Sequence, residues 1–264
     1  RLGNGIYRKK KRLKLMTKIV DCTFRDGGYY TDWNFSNDIV LDTIKSVKPF
    51  VDIIELGFKS PIKGGRYRHC SENLLEFIEK NDTNFSFMVN INEFMKNNKL
   101  NYSLLKNNIL HSDDSLFSTT RAAVRKEQID LGIEYIDFVK DKGYFSTLNL
   151  IRSELYTETE LSKVIKKINK SNVDVIYLAD SLGSFYPNKL RTFLNIVKEN
   201  TDKKIGFHAH NNLSLAFANS LMALECGVDF IDGSVSGIGR GAGNLPLEQL
   251  LMYNEIDCKE VINL

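Results

Sequence analysis

The sequence predicts a closed parallel barrel of alternating strands and helices, the TIM (β/α)8 barrel. Short runs of β-branched and aromatic residues recur with helical patterns between them, and their centres lie roughly 25–35 residues apart, the size of one strand-plus-helix unit. Eight such runs occur in a chain of 264 residues, a length that suits one barrel domain. No GxGxxG follows the first run, which weakens the alternative of an open doubly wound sheet.

The eight predicted strands are rich in Val, Ile, Leu, Phe and Tyr and are bounded by polar or turn residues. They are 18–24, 51–58, 84–91, 115–124, 144–151, 173–179, 203–208 and 228–235. Between them, Ser36 and Thr157 are predicted helix N-caps, and Pro187 suits the first turn of another helix. Ser71 is predicted to cap a helix over 72–80, whereas 92–114 has no clear period and is predicted to be irregular.

Composition is typical of a globular protein, with 42% hydrophobic and 26% charged residues. A net charge of +3 argues against a dedicated nucleic-acid-binding protein. No apolar run approaches the ~18 residues of a membrane span. The four cysteines lie far apart without a CxxC pair, which indicates reduced thiols and a cytoplasmic protein. Neither nucleic acid nor a membrane is therefore expected as a partner.

A basic run from Arg8 to Arg12 precedes the first predicted strand. No long apolar segment follows it, so a secretory signal is not predicted. We interpret residues 1–15 as a disordered N-terminal extension and residues 16–264 as the catalytic barrel, because Met16 begins the first strand pattern. The alternative for this extension is a basic arm that contacts nucleic acid or lipid headgroups.

Polar side chains stand at the ends of all eight predicted strands, where a barrel of this kind gathers its chemistry. Because burying a polar group without a partner costs free energy, this pattern favours a functional site over core packing. The residues are, in chain order, Arg25, Asp26, Glu55, Asn90, Asn92, Arg121, Asn149, Asp180, Ser181, His208, His210, Ser234 and Ser236. The predicted substrate contacts among them are Glu55, Arg121, Asn149, Asp180 and Ser234.

His208 and His210 predict a metal site. Alternate residues of a strand point to the same side, so the two imidazoles converge at the end of the seventh strand. A histidine is often a hydrogen-bonded core residue instead, and Asp26, in an Asp-Gly-Gly sequence, is alternatively a turn residue. With Arg25 beside it, we favour Asp26 as the carboxylate ligand that completes the site.

Two further stretches have both a structural and a functional interpretation. Asp180, after the buried run 175–179, either caps the turn before a helix or bonds a metal-ligating imidazole from behind. The glycine-rich stretch 237–243 is either a turn or a loop whose backbone approaches an anion. Asn244 is either a metal ligand through its amide oxygen or the cap of a helix from Pro246.

The loop 60–70 after the second predicted strand is basic. The cationic side chains in or beside it are Lys59, Arg66, Arg68 and His69. A mobile basic loop over a metal would suit a carboxylate, phosphate or coenzyme A substrate. An ordinary solvated loop is the alternative.

Four ordered stretches form a recognisable pattern. They are DCTFRDG at 21–27, IYLADS at 176–181, GFHAHNNLSLAFAN at 206–219 and SGIGRGAGNLPLE at 236–248. The first resembles the D-x-T-L-R-D-G signature of the DRE-TIM metallolyases, the HMG-CoA lyase-like family of TIM barrels. The others resemble that family's sixth-strand, His-x-His-Asn and closing glycine-loop segments, and the pattern is most similar to the 4-hydroxy-2-oxovalerate aldolases.

The resemblance implies a divalent metal held by Asp26, His208 and His210, with Asn244 as a further ligand in some members. It also implies that Arg25 stabilises the enolate oxygen of the substrate. A hard divalent ion that chelates the keto and carboxylate oxygens of a 2-oxo acid polarises the carbonyl, which fits these roles. The ligand set suits Mn²⁺ or Mg²⁺ and accommodates Co²⁺ or Zn²⁺.

The chain departs from the aldolases just after Arg-Asp-Gly. Where they carry a catalytic histidine, this sequence reads Gly28-Tyr29-Tyr30, so Tyr29 is the candidate for proton transfer. An unperturbed tyrosine has a pKa of ~10 and needs a nearby cation to act as a base. The sequence also stops soon after the eighth unit, without the region through which the aldolases bind a dehydrogenase, so substrate transfer to such a partner is not expected.

Three functional hypotheses follow. The leading one is a divalent-metal-dependent carbon–carbon lyase of the aldolase type, which cleaves or forms a 4-hydroxy-2-oxo acid or related acyl substrate through an enolate held at the metal. The second is a Claisen-type acyltransferase that joins an acyl-CoA to a 2-oxo acid on the same fold. The third, a barrel that binds metal and ligand without turnover, is motivated by the missing histidine. The expected partner is the small-molecule substrate, and a homo-oligomer is compatible with the sequence.

Overall fold

The computed structural model describes residues 17–79 and 82–254, and its framework is a closed barrel of eight parallel strands. The strands are β1 Lys18–Asp21, β2 Ile53–Phe58, β3 Phe85–Asn90, β4 Phe117–Val124, β5 Phe145–Leu150, β6 Val175–Asp180, β7 Lys204–Ala209 and β8 Phe230–Gly233. Each strand pairs with the next along the chain, and β8 pairs with β1 to close the barrel. The predicted fold class is confirmed.

Helices connect successive strands around the barrel. Within the described residues the α-helices are α1 Thr23–Thr31, α2 Asn37–Val47, α3 Arg66–His69, α4 Tyr102–Asn108, α5 Ile129–Lys140, α6 Glu158–Ile168, α7 Pro187–Asn200, α8 Ala216–Glu225 and α9 Leu247–Tyr253. A two-stranded antiparallel ribbon, Met95–Lys96 with Lys99–Leu100, lies between β3 and β4. The segment 92–114, predicted to be an irregular helix or a long loop, contains this ribbon and helix α4. No helix of the described ranges is long and apolar enough to cross a membrane.

The predicted helix starts are present with one exception. Ser36 accepts a hydrogen bond from the third residue of α2, Thr157 forms a capping box with Glu160, and Pro187 begins α7. Ser71 is the exception, because its side chain caps nothing and only a short 3₁₀ turn follows it. The predicted basic extension at 1–15 lies outside the described residues.

The first strand is shorter than predicted, and a helix follows it at once. β1 ends at Asp21, whose Oδ1 accepts a hydrogen bond from the backbone N–H of Thr23 at 3.2 Å and so turns the chain into α1. Asp26 consequently lies on the first turn of a helix, and the Asp-Gly-Gly sequence is helical. The turn interpretation of Asp26 is therefore wrong.

The barrel interior changes character from one end to the other. An apolar cluster closes its base and consists of Val20, Ile53, Val175, Tyr177 and Phe230, with Phe145 packed against them. Towards the carboxyl ends of the strands the interior becomes charged, and the buried groups there include Glu55, Arg121 and Asp232. The guanidinium of Arg121 stacks on the ring of Tyr177 at 4.5 Å, where the two layers meet.

Candidate metal centre

Asp26, His208 and His210 meet at the carboxyl end of the barrel, although Asp26 comes from α1 and both histidines from the end of β7. Oδ2 of Asp26 lies 3.9 Å from Nε2 of His208 and 3.8 Å from Nε2 of His210. All three residues are buried. Ligand atoms at these separations suit a cation about 2.1 Å from each.

Several polar atoms around this point lack partners. Oδ2 of Asp26, Nε2 of His208 and Oδ1 of Asn244 are buried without a hydrogen bond to any described residue. Asn244 pairs with the backbone of His210 in an isolated β-bridge, which brings its amide beside the imidazoles. Because an unsatisfied buried polar atom costs ~1–3 kcal/mol, the convergence of three such atoms fits a site for a cation.

The outer ring nitrogens hold the two imidazoles in position. Nδ1–H of His208 donates to Asp232 Oδ2 at 2.9 Å, and Nδ1–H of His210 donates to the carbonyl of Gly243 at 3.3 Å. Both Nε2 atoms then carry lone pairs directed towards Asp26, which is the tautomer that a ligating histidine needs.

A continuous chain of ion pairs lies beneath the three groups. Nη1 of Arg25 donates to Asp26 Oδ1, and its Nε donates to Glu55 Oε2, each at 2.7 Å. Nη1 of Arg121 donates to the same oxygen of Glu55 at 3.0 Å, and its Nη2 donates to Asp232 at 2.6 Å. The chain of contacts therefore connects Asp26 to the carboxylate that orients His208.

These charges decide the ionisation of the carboxylates. Burial opposes the ionisation of Asp26, but the charge of Arg25 outweighs it, and the pKa is lowered to about 2. Burial likewise opposes the ionisation of Asp232, but the charge of Arg121 and the bond from His208 lower its pKa to about 2. Both groups are therefore anions at neutral pH.

Cys22, His208 and Asp232 form a second compact group whose potential ligand atoms lie within 4.8 Å of one another. Burial raises the pKa of the Cys22 thiol, and its Sγ–H donates to the carbonyl of Gly233 at 3.3 Å. Asp232 is already held by Arg121. A protonated thiol is a poor metal ligand. This group is therefore better described as the surroundings that hold His208 on the Nδ1 side of its ring, where Asp232 bonds it.

A cavity of about 220 Å³ opens above Asp26, His208 and His210. Its wall comes from the ends of six strands and from the glycine-rich stretch. The lining residues are Arg25, Asp26, Tyr29, Phe58, Met88, Asn90, Asn92, Ala123, Arg125, Asn149, Ile151, Arg152, Ala179, Ser181, His208, His210 and Arg240. Of the predicted substrate contacts, only Asn149 is in this wall.

The other predicted substrate contacts lie behind or below the cavity. Glu55 and Arg121 are fully buried in the chain of ion pairs, so neither faces the cavity. Ser234 is also fully buried, with its Oγ 3.5 Å from Nδ2 of Asn244. None of the three lines the cavity, because the charged groups satisfy one another inside the barrel.

Asp180 closes the loop after β6. Its Oδ1 accepts from the backbone N–H of Ser184 at 2.8 Å, and its Oδ2 accepts from that of Phe185 at 3.1 Å. The turn interpretation is therefore the right one. The imidazole of His208 bonds Asp232 instead, so the predicted role of Asp180 behind a ligating imidazole is wrong.

Tyr29 lines the cavity, but its surroundings do not favour a base. The ring packs edge-on against Trp33 with 4.7 Å between centroids. Tyr29 is 44% exposed, and its partial burial raises its pKa above the usual value, although Arg25 acts in the opposite direction. The phenol stays protonated at neutral pH and can donate a hydrogen bond.

The basic loop after β2 does not reach the cavity. Lys59 is buried and pairs with Glu72 at 2.7 Å, and Arg68 pairs with Glu93 at the same distance. Nδ1–H of His69 donates to the carbonyl of Ser60 at 2.9 Å. These cations hold the loop against the barrel and are unavailable to a substrate.

Sequence reasoning missed Asp232 and three arginines of the cavity wall. Asp232 lies two residues before Ser234 on the same face of β8, so the alternation used for the histidines would have found it. Arg125 and Arg152 lie one and two positions after the ends of β4 and β5. They are four and three positions beyond Arg121 and Asn149, the residues predicted at these strand ends. Arg240 was noted only as part of the glycine-rich stretch.

Comparison with known proteins agrees with this architecture. The HMGL-like family model matches residues 16–259. A 4-hydroxy-2-oxovalerate aldolase from Carboxydothermus hydrogenoformans is 27% identical over 240 residues, which cover 89% of this chain and 69% of that protein. An oxaloacetate decarboxylase from Mycobacterium tuberculosis is 30% identical over 174 residues, which cover 53% of this chain and only 52% of that protein.

Solved structures share the barrel. The N-terminal domain of a candidate aldolase from Bacteroides vulgatus aligns with a TM-score of 0.79 at 30% identity, over 93% of this chain and 84% of that one. An HMG-CoA lyase from Bacillus subtilis aligns with a TM-score of 0.73 at 13% identity, over 94% of this chain and 91% of that one, and shows the fold alone. Because the family model covers most of the sequence, the chain belongs to the HMGL-like family, and the aldolase and decarboxylase names of its relatives indicate an enzyme.

Proposed function

We propose that this chain is a divalent-metal-dependent carbon–carbon lyase of the aldolase type that acts on a 4-hydroxy-2-oxo acid. The observation that carries the proposal is the convergence of Asp26, His208 and His210 at the floor of a polar cavity, with two of their ligand atoms buried and unpartnered among the described residues. Relatives named as aldolases support the reaction class.

Asp26, His208 and His210 would hold the ion, and the unpartnered Oδ1 of Asn244 lies beside them as a fourth donor. When bound, the ion supplies a Lewis acid that polarises the keto group of a 2-oxo acid. Two imidazoles with two oxygen donors suit Mn²⁺ or Mg²⁺, and Co²⁺ or Zn²⁺ are the alternatives in the same proposal.

Arg25 would stabilise negative charge that develops on the substrate oxygen. Asp26 and Glu55 fix its Nη1 and Nε, whereas its Nη2 makes no hydrogen bond to a described residue and the side chain lines the cavity. The guanidinium is thus oriented before the substrate arrives, which is the condition for electrostatic stabilisation of a transition state.

Asn149 would orient the substrate carboxylate. The hydroxyl of Thr147 donates to Oδ1 of Asn149 at 2.6 Å, so the amide oxygen is occupied. The N–H groups of Asn149 are therefore the part of the amide that remains for an acceptor in the cavity. Tyr29, protonated and in the opposite wall, would donate a hydrogen bond to the oxygen of the leaving fragment, while the proton of that hydroxyl passes to solvent as the carbon–carbon bond breaks.

A decarboxylation of a 2-oxo acid is the second candidate. Aldol cleavage needs a base for the substrate hydroxyl, whereas loss of CO₂ to the same enolate needs none. Among the described residues that line the cavity, the groups able to accept a proton are the metal-binding residues and Tyr29, whose pKa is raised. The relative named as an oxaloacetate decarboxylase is consistent with this reaction.

The test is pyruvate release from 4-hydroxy-2-oxo acids and from oxaloacetate, with Mn²⁺ or Mg²⁺, by the wild type and Asp26→Asn. We expect Asp26→Asn to lose activity by about 10³-fold. Asp32→Asn is the matched control, because Asp32 is exposed and has a left-handed conformation that asparagine tolerates. Activity that survives both Asp26→Asn and a chelator would refute the proposal. Release of thiol from acetyl-CoA with a 2-oxo acid would favour the acyltransferase instead.

The cytoplasmic location remains part of this proposal. The described cysteines, Cys22, Cys70 and Cys226, are free thiols. Free thiols are typical of a reducing compartment. Labelling of intact cells with a fluorescent fusion of the full chain would check it.

A further inference from the structure

The upper wall of the cavity carries more positive charge than a 2-oxo acid with a single carboxylate needs. Among the residues that line it, Asp26 is the only acid, whereas four are arginines. Arg25 is paired with Asp26 and Glu55. The remaining three are Arg125, Arg152 and Arg240.

The charges of the floor nearly balance without these three. The buried carboxylates there are Asp26, Glu55 and Asp232, and the buried guanidiniums are Arg25 and Arg121. Neutral imidazoles, a divalent ion and the carboxylate of a 2-oxo acid together bring this floor to neutrality. The three arginines of the wall are therefore not needed to bind that carboxylate.

The arginines of the wall form no ion pair with a described carboxylate, although Glu127 lines the adjoining groove beside Arg125 and Arg152. No ion pair within 4.0 Å joins Arg125, Arg152 or Arg240 to an acid of the described ranges. All three are exposed, and their positions face the cavity that the proposed substrate enters. Unpaired arginines in the wall of a concave site favour a ligand with an anionic group, because the guanidinium fork matches carboxylate and phosphate.

Backbone contacts place Arg125 and Arg152 side by side. They follow the neighbouring parallel strands β4 and β5, in which Val124 pairs with Leu150. The backbone N–H of Arg125 donates to Oε1 of Gln128 at 3.1 Å. Rigid strand ends therefore present both guanidiniums at one edge of the cavity.

Ser181 brings Arg152 and Arg240 together. Its hydroxyl accepts from the backbone N–H of Arg152 at 2.8 Å, and its carbonyl accepts from Nη2 of Arg240 at 2.8 Å. Arg152 adopts a left-handed conformation, with φ 56°. Such strain in a residue other than glycine persists only where the surroundings enforce it, and it is concentrated at ligand sites.

A second space adjoins the cavity at these arginines. A groove of about 220 Å³ shares Arg125, Ile151 and Arg152 with the metal cavity and continues outward past Tyr156. The two guanidiniums thus stand where the cavity meets the groove. A group bound there lies at the end of the substrate remote from Asp26.

We propose that Arg125, Arg152 and Arg240 bind a second anionic group of the substrate, so that the substrate is a 2-oxo acid with a carboxylate or a phosphate at its far end. This inference deepens the proposed lyase function and rests on it. It restricts the substrate class from any 4-hydroxy-2-oxo acid to dianionic members.

Calorimetric titration of the Mn²⁺-loaded protein with three probes of equal length tests the proposal. The probes are 2-oxopentanoate, with a neutral end, 2-oxoglutarate, with a carboxylate, and 2-oxo-4-phosphonobutanoate, with a phosphonate. We expect at least one dianion to bind about tenfold tighter than 2-oxopentanoate, as one or two partly exposed charged hydrogen bonds allow. The tighter of the two dianions identifies carboxylate or phosphate as the natural group.

Variants locate the preference. The double variant Arg125→Gln/Arg152→Gln should reduce the preference for a dianion over 2-oxopentanoate to about onefold to twofold. The double variant Arg125→Lys/Arg152→Lys should retain part of this preference. Arg191→Gln is the matched control. It removes one guanidinium charge from an exposed residue of α7, which pairs with Glu225 and lines neither the cavity nor the groove. Melting curves of each variant show whether it is folded.

Equal affinity for the three probes, absence of binding of both dianions, or an equal loss in Arg191→Gln would overturn the inference. Binding is measured without turnover, so the result is independent of the lyase assay. A protein that prefers dianions but releases no pyruvate refutes the proposed function and leaves the anion site standing. A protein that releases pyruvate but has no preference for dianions supports the proposed function and refutes the anion site.

Discussion

The carboxylate of Asp232 accepts a hydrogen bond from Nδ1–H of His208 at 2.9 Å. This contact decides which nitrogen of the imidazole carries the proton, and therefore that the Nε2 lone pair points towards Asp26. The sequence patterns did not predict a contact between these two residues. The carboxylate that orients a proposed ligand is thus as much a part of the site as the ligand.

Asp232→Asn should weaken metal binding about 10–100-fold, because the amide neither orients the imidazole as strongly nor neutralises Arg121. Titration with Mn²⁺ followed by calorimetry measures this affinity. Asp180→Asn is the control, since that carboxyl group is also buried but bonds only the backbone of its own loop. Unchanged affinity in Asp232→Asn, or an equal loss in Asp180→Asn, would contradict the assignment.

Arg121→Met should lower the free energy of unfolding by about 3–5 kcal/mol, because it leaves Glu55 and Asp232 as buried carboxylates without their shared cation. Urea unfolding measures the change. Combining it with Glu55→Gln should recover part of the loss, since one of the uncompensated charges is then removed. A loss below ~1 kcal/mol in the single variant would show that the two carboxylates do not depend on Arg121.

The contribution of Asp21 to stability should fall as pH rises from about 4 to 7, because burial raises the pKa of Asp21 to about 7 despite hydrogen bonds from Thr23. In that interval the folded protein holds a proton that the unfolded chain releases, so stability from this group is complete at low pH and is lost as pH rises through the folded pKa. Asp21→Asn should remove this part of the slope. Urea unfolding at pH 5 and pH 8 measures the pH dependence of the free energy of unfolding. Asp42→Asn is the control, because Asp42 is exposed. An unchanged slope in Asp21→Asn would count against the assignment.

Gly28→Ala should destabilise the protein by about 1–3 kcal/mol, because a Cβ at this position would lie 2.1 Å from Cδ1 of Trp33. Trp33 is the single tryptophan, and its Nε1–H donates to the carbonyl of Arg25 at 2.9 Å. A shift in its fluorescence emission should accompany the change. Gly27→Ala is the control, since its Cβ would meet only the side chain of Ile238 at 3.1 Å; equal effects of both would point to helix α1 in general.

Periodicity was sufficient for the barrel and for the proposed metal ligands. Strand spacing and the alternation of side chains are local properties, so eight strands and the convergence of His208 with His210 could be predicted without tertiary contacts. The meeting of Asp26 with that pair required one more assumption, that β1 closes against β8, and the structure bears it out.

Helix α1 and the buried charges could not be predicted in this way. Two adjacent glycines disfavour a helix by propensity, yet α1 forms because Trp33 packs on Gly28 and bonds the carbonyl of Arg25. Glu55 and Arg121 were predicted at strand ends, but each lies three positions before the last residue of its strand. Only the three-dimensional arrangement shows that they satisfy each other below the cavity.

Barrel closure has a consequence for folding. The hydroxyl of Thr23 accepts a hydrogen bond from the backbone N–H of Val235, 212 positions away along the chain, and Asp26 meets the two histidines only across the same seam. Such a distant contact forms late, after the entropy of a very long loop has been lost. A bound ion would therefore connect groups on the two sides of the seam between β1 and β8. Because it binds only when these groups meet, it would favour the closed barrel over every partly folded form by mass action.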